Sequence, residues 1–170
     1  MSQYGASLYG DPCGGCGFVW SVPIEESLAI VAGSPASFGE LVSHAGGNER
    51  HPDLGWSVAE YVSHVADNLR IWAERLIGVA RGASPEVGAY DEHELADARH
   101  YERIPLPAAL WSLTRAVTDW QEAVAEAGRI GVVLVHPHRG SQTVVDVATA
   151  NAHDTFHHRW DIERSLIAES

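Results

Sequence analysis

The feature that most constrains this chain is its last stretch. Residues 144–170 contain neither Pro nor Gly, and Thr143 is followed three residues on by Asp146. That pair is a helix-start signal, since hydroxyl and carboxylate can each take up an orphan backbone N–H. A helix of about 25 residues must bury one face, so it calls for partners of similar length. Those partners are legible. Ser57-Val58-Ala59-Glu60 is a capping box, and Tyr61, Val65, Leu69, Trp72, Leu76 and Val79 recur at spacings of three and four. They predict a helix that runs to about Arg81 and stops at Gly82. Pro107 suits a first helical turn, and Leu110, Leu113, Val117, Trp120 and Val124 predict a further long helix ending near Gly128. Residues 24–31 and 37–44 read as two halves of a broken first helix, interrupted by Gly33-Ser34-Pro35.

The remaining segments are short. Residues 83–104 mix Pro, Gly and charge around one small helix at 92–99, and the apolar run 130–135 predicts a single strand before a turn at His136-Pro137-His138-Arg139-Gly140. The first 22 residues are rich in Gly and Tyr and show no helical period. The expected organisation is an irregular arm over residues 1–22, carrying Cys13 and Cys16, and an all-α four-helix bundle over residues 23–170. Trp72, Trp111 and Trp120 fall on apolar stripes and are expected in its core.

Composition limits the function classes. The 170 residues suit one compact domain, and 45% hydrophobic against 20% charged residues is enough to build a core. The net charge of −12 and the lack of a Lys/Arg cluster argue against nucleic acid and anionic membranes as partners. No run of 18 apolar residues occurs, and Met-Ser-Gln-Tyr-Gly lacks the pattern of a signal peptide, so a cytoplasmic location is expected. Two Cys are too few for a disulfide framework, and a C-x-x-C pair in a reducing compartment points to metal or redox chemistry. There is no H-E-x-x-H, G-x-S-x-G, Walker A or G-x-G-x-x-G, and no Glu stands three residues before a His. Protease, hydrolase, NTPase, dinucleotide and di-iron carboxylate readings lose support accordingly.

Ten His are what the composition leaves to explain. His153 and His157 lie four apart in the predicted last helix, a spacing that brings two imidazoles to one metal ion. His64, on the capped helix beside Glu60, Asp67 and Asn68, would face that pair across the bundle. Asp154 and Asp161 are placed to hold a ring N–H from behind. Three neutral imidazoles would leave a divalent cation with open positions, and such a cation lowers the pKa of a bound thiol or water.

The segments Trp56-Ser57-Val58-Ala59-Glu60-Tyr61-Val62-Ser63-His64-Val65-Ala66-Asp67-Asn68 and Ala152-His153-Asp154-Thr155-Phe156-His157-His158-Arg159-Trp160-Asp161-Ile162 resemble the DinB-like four-helix bundles, the group that includes YfiT-type and mycothiol-dependent proteins. The likeness spans most of residues 24–168. It implies a divalent metal on one His of the second main helix and an H-x-x-x-H pair of the last, here His64, His153 and His157. It also implies transfer or isomerisation of a small electrophilic substrate with a low-molecular-weight thiol such as mycothiol, and pairing into a homodimer. Zinc is the first metal to expect, with nickel and iron also compatible with imidazole. The opening Cys13-Gly14-Gly15-Cys16-Gly17-Phe18 looks like those of some actinobacterial members.

Asp161 and Asp67 are the expected catalytic carboxylates, and Trp160 and His138 the expected cofactor contacts. His158, about 100° round the helix from His157, is expected at the surface or behind the ligands. Four readings stay open for Cys13 and Cys16: a zinc completed by two His, a redox disulfide, a share in the main metal site, or free thiols. The competing function is a non-enzymatic metal- or ligand-binding protein, for which a closed site with a fourth protein ligand would be expected.

Overall fold

The computed structural model describes residues 5–168; residues 1–4 of the expected arm and 169–170 of the expected last helix lie outside them. The described elements run in the order α1 (Ala6–Tyr9), α2 (Ile24–Leu41), α3 (Val58–Ala80), α4 (Glu92–Arg99), a 3-10 turn (Tyr101–Arg103), α5 (Leu106–Ile130), β1 (Val133–His136), β2 (Gly140–Thr143) and α6 (Val144–Ala168). The four long helices α2, α3, α5 and α6 make the bundle, with α3 lying chiefly along α5 and α2 along α6. No helix among the described residues is long and apolar enough to cross a membrane.

The caps work as their residue types require. Ser57 N donates to Glu60 Oε2 at 2.7 Å while Glu60 N donates to Ser57 Oγ at 3.4 Å, closing the capping box of α3. Thr143 and Asp146 form the equivalent reciprocal pair at α6. Helix α3 ends at Ala80, and Gly82 follows at φ 96°, a conformation that suits glycine.

Three expectations about the helices and strands need correction. Helix α2 is continuous through Pro35. Proline removes the N–H that would bond the Val31 carbonyl, and the Ser34 hydroxyl donates to that oxygen instead, at 2.8 Å. Helix α5 continues through Gly128 to Ile130, and Gly131 at φ 71° caps it. The expected lone strand is half of an antiparallel hairpin, with β2 supplied by the polar run Gly-Ser-Gln-Thr, whose residues carry little strand signal of their own.

Trp72 and Trp120 are almost completely buried, together with Phe38, Leu69, Leu76 and Leu113. Trp111 is 68% exposed and no part of the core. It lies two residues from both Ala109 and Leu113, about 200° round the helix from each, so it faces away from their stripe. The Trp120 indole N–H donates to Asn151 Oδ1 at 2.9 Å and ties α5 to α6 through a buried polar bond.

Candidate metal centre and cavity

Helices α3 and α6, the hairpin and the arm enclose a cavity of about 470 Å³, within the range of small-molecule sites. Its wall takes His64 and Asn68 from α3, and His153, Asp154, His157 and His158 from α6. Two groups of donors converge there. The nitrogen or oxygen donors of His64, Asp154 and His158 lie within 4.8 Å of one another, and so do the donors of Cys13, Cys16, His153 and His157.

The expected trio of His64, His153 and His157 is therefore divided, because α6 offers two i,i+4 pairs one residue out of phase. His153 and His157 turn toward the arm, whereas Asp154 and His158, about 100° away, turn toward α3 and meet His64. The rings of His64 and His158 are 4.7 Å apart. His158 is consequently a donor rather than a bystander, and Asp154 stands in front rather than behind. The signal for this pair was present as Asp-x-x-x-His, hidden beside the more conspicuous His-x-x-x-His.

Around Asp154 the geometry suits a shared cation. His64 Nε2 lies 3.5 Å and His158 Nε2 3.6 Å from Asp154 Oδ1, beyond good hydrogen-bond length. Ligands about 2.1 Å from one tetrahedral ion are separated by about 3.4 Å, so these spacings match donors around a common centre. His64 Nδ1 is buried without a hydrogen-bond partner. The other oxygen, Asp154 Oδ2, accepts from Asn68 Nδ2 at 2.7 Å, and Tyr90 Oη donates to Asn68 Oδ1 at 2.9 Å. Behind His158, Asp161 Oδ2 lies 3.0 Å from Nδ1.

Without a cation, the donors of this group compensate one another's charge. Burial alone would raise the Asp154 carboxyl, but His64 and His158 hold it well below the usual carboxylate range. Burial opposes charge on His158, yet Asp154 and Asp161 hold its imidazole up at about 9, so without a cation it carries a proton that a bound metal would have to displace. Burial, with His157 adding to it, pushes His153 down to about 4; burial also lowers His157, so both rings stay in the neutral, ligand-ready form.

The other expected site residues fall as follows. Asp67 faces away from the cavity and is held by Tyr101 Oη at 2.8 Å, Arg70 at 2.9 Å and Arg99 at 3.2 Å, which makes it an anchor of the 83–104 segment and not a catalytic group. Asp161 is buried behind His158 and positions it. Trp160 is outside the cavity wall, packed edge-on to His157 at 5.4 Å under the Arg164 guanidinium. His138 is in the wall, beside His136. Burial and Arg139 push His136 down to about 4, and its Nδ1 accepts from the backbone of His138 and Arg139. Sequence reasoning passed over Arg75 and Arg139, which stack on the Trp72 ring at 4.6 and 5.2 Å and line the same wall. It also passed over Tyr90, which sits in a Pro- and Gly-rich segment without periodicity.

Fold and site together define a helical bundle with imidazole and carboxylate donors gathered between its helices. The family model of the DinB superfamily matches residues 36–162, and the chain belongs to that superfamily. The matched segment contains His64, Asp154 and His158 and excludes Cys13 and Cys16. Among solved structures, the chain is similar to YfiT from Bacillus subtilis, described as a probable metal-dependent hydrolase with an unusual four-helix bundle topology. The likeness has a TM-score of 0.73 over 86% of this chain and 89% of that one, at 17% identity, and is one of fold. No curated protein matches the chain.

Proposed function

We propose that this chain is a metal-dependent enzyme in which His64, Asp154 and His158 hold a divalent cation at the cavity wall. In this reading it transfers or isomerises a small electrophilic substrate, with a low-molecular-weight thiol of the mycothiol type as co-substrate. The observation that carries the metal is the convergence of these three donors on the wall of a cavity of about 470 Å³. The thiol rests on the resemblance to mycothiol-dependent members of the superfamily. Zinc suits the donor set best, with nickel and iron as the next choices.

A cation with three protein donors supplies Lewis acidity and lowers the pKa of a thiol or water at its open positions. The chain's own residues supply the rest. Asn68, itself held by Tyr90, fixes one oxygen of Asp154 so that the other faces the two imidazoles. Asp161 sets the ring plane of His158. Trp56 and Tyr61 pack on His64 and His158 with ring separations of 4.9 and 5.2 Å and keep water off that side. The paired guanidinium groups of Arg75 and Arg139 make the opposite end cationic, which suits a substrate or co-substrate bearing a carboxylate.

The test is turnover by metal-stripped protein reloaded with zinc, nickel or iron, supplied with mycothiol and chlorodinitrobenzene or an unsaturated carboxylic acid. Turnover that needs both metal and thiol, and that His64→Ala and His158→Ala abolish, is the expected result. Arg75→Met should raise KM for the acid while leaving metal content unchanged. Turnover of esters or amides without thiol would instead make the chain a hydrolase, the activity in YfiT's description. No turnover by any metal-loaded form would favour the non-enzymatic metal-binding alternative.

A further inference from the structure

The second donor group lies beyond that reading. Cys13 and Cys16 come from the arm, His153 and His157 from the outer stripe of α6, and their donor atoms all lie within 4.8 Å of one another. Cys13 Sγ is 3.7 Å from His157 Nδ1, and His153 Nε2 is buried with no hydrogen-bond partner. Both sulfurs are free thiols. Two sulfurs and two imidazole nitrogens at these separations are a tetrahedral zinc donor set, complete without water.

The local backbone is shaped for it. The loop closes on itself through Cys13 N to Phe18 O and Gly17 N to Cys13 O, both 2.8 Å, with Gly17 at φ 79°. At Gly15 a Cβ would lie 3.0 Å from His157 Cε1 and 3.3 Å from Trp160, so the loop sits close enough to α6 that a side chain there would press on both rings. Tyr9, Phe18 and Trp20 pack around the His153 ring at 4.8, 5.4 and 4.4 Å; Cys13 and His153 are buried, while Cys16 and His157 are half-buried. Tyr9 and Trp20 are also wall residues of the cavity.

We infer that Cys13, Cys16, His153 and His157 form a closed zinc site that clamps the N-terminal arm onto α6 and holds Tyr9 and Trp20 in place as one wall of the cavity. Zinc binding would displace the two thiol protons to solvent, leaving two thiolates on the ion. The site has no open position and so takes no part in nucleophile activation. The arm lies outside the 36–162 segment that the family model matches, so the clamp joins two cysteines from outside that segment to two histidines within it.

Untagged protein loaded with cobalt tests the clamp. A thiolate-to-cobalt charge-transfer band is expected, lost in Cys13→Ser/Cys16→Ser and retained in His64→Ala. Elemental analysis of the zinc form should give two equivalents, falling to one in either variant. Thiol titration should find both cysteines protected until a chelator is added, and chymotrypsin should cut the arm at Tyr9, Phe18 or Trp20 faster in the chelated form than in the zinc form. Should the double variant fail to fold, the band and thiol protection in the intact protein still decide. Absence of the band, thiols equally reactive with and without zinc, or a Cys13–Cys16 disulfide in the purified chain would overturn the inference. One equivalent with the band present would instead remove the His64 site and leave the clamp, so the two readings fail separately.

Discussion

Asn68 Nδ2 donates to Asp154 Oδ2 at 2.7 Å across the gap between α3 and α6. One bond thereby decides which oxygen of Asp154 faces His64 and His158, and it links a helix that carries one donor to the helix that carries two. Replacement of Asn68 by Ala should weaken metal binding at His64, Asp154 and His158 by about 10- to 100-fold, the usual cost of removing such a support. Competition with a chromophoric chelator measures it, and cobalt–thiolate absorption from the arm should be unchanged.

Two buried aspartates that look alike in sequence are expected to behave differently. Asp161→Asn disturbs the His158 ring it orients and should lower metal affinity by a similar factor of about 10 to 100. Asp67→Asn should leave metal binding alone. It breaks instead the network to Tyr101, Arg70 and Arg99, and denaturant unfolding should show a loss of about 1–3 kcal/mol.

Helix α2 survives Pro35 because Ser34 occupies the Val31 carbonyl. Ser34→Ala leaves that buried oxygen unpaired and should cost about 1–3 kcal/mol. In a Pro35→Ala background the backbone N–H returns, and the same Ser34→Ala change should cost much less. A double-mutant cycle in urea reads the coupling directly, and additive losses would sink this account of the helix.

Gly15→Ala pushes a methyl group against the imidazole of His157 and the indole of Trp160. The two rings must give by a few tenths of an ångström, which disturbs the His157 donor, so the thermal midpoint should fall and thiol reactivity rise in the zinc form. The carboxylate site on the other side of α6 should load as before.

Much of the helical architecture is written in local chemistry. The capping boxes at Ser57 and Thr143 and the apolar stripe of α3 act within one or two turns, so they can be read without a neighbour. The same local reading failed at Pro35, where a serine hydroxyl substitutes for a missing amide, and at Trp111, whose place on the helix face depends on which stripe α3 covers. It failed also at β2, whose polar residues are extended because they pair with β1.

For the site, the residue types were legible and the grouping was not. Helical spacing alone established that α6 presents His153 with His157 and, one residue later, Asp154 with His158, since both pairs follow from 3.6 residues per turn. Which stripe meets His64 and which meets the cysteines depends on the rotation of α6 about its axis, and that rotation is set by packing against α2 and α3 and by the arm folded over its outer face. Spacing along a chain fixes angles within a helix; only contacts between distant segments fix the angle of the helix itself, and here that single angle divides seven donors into two sites.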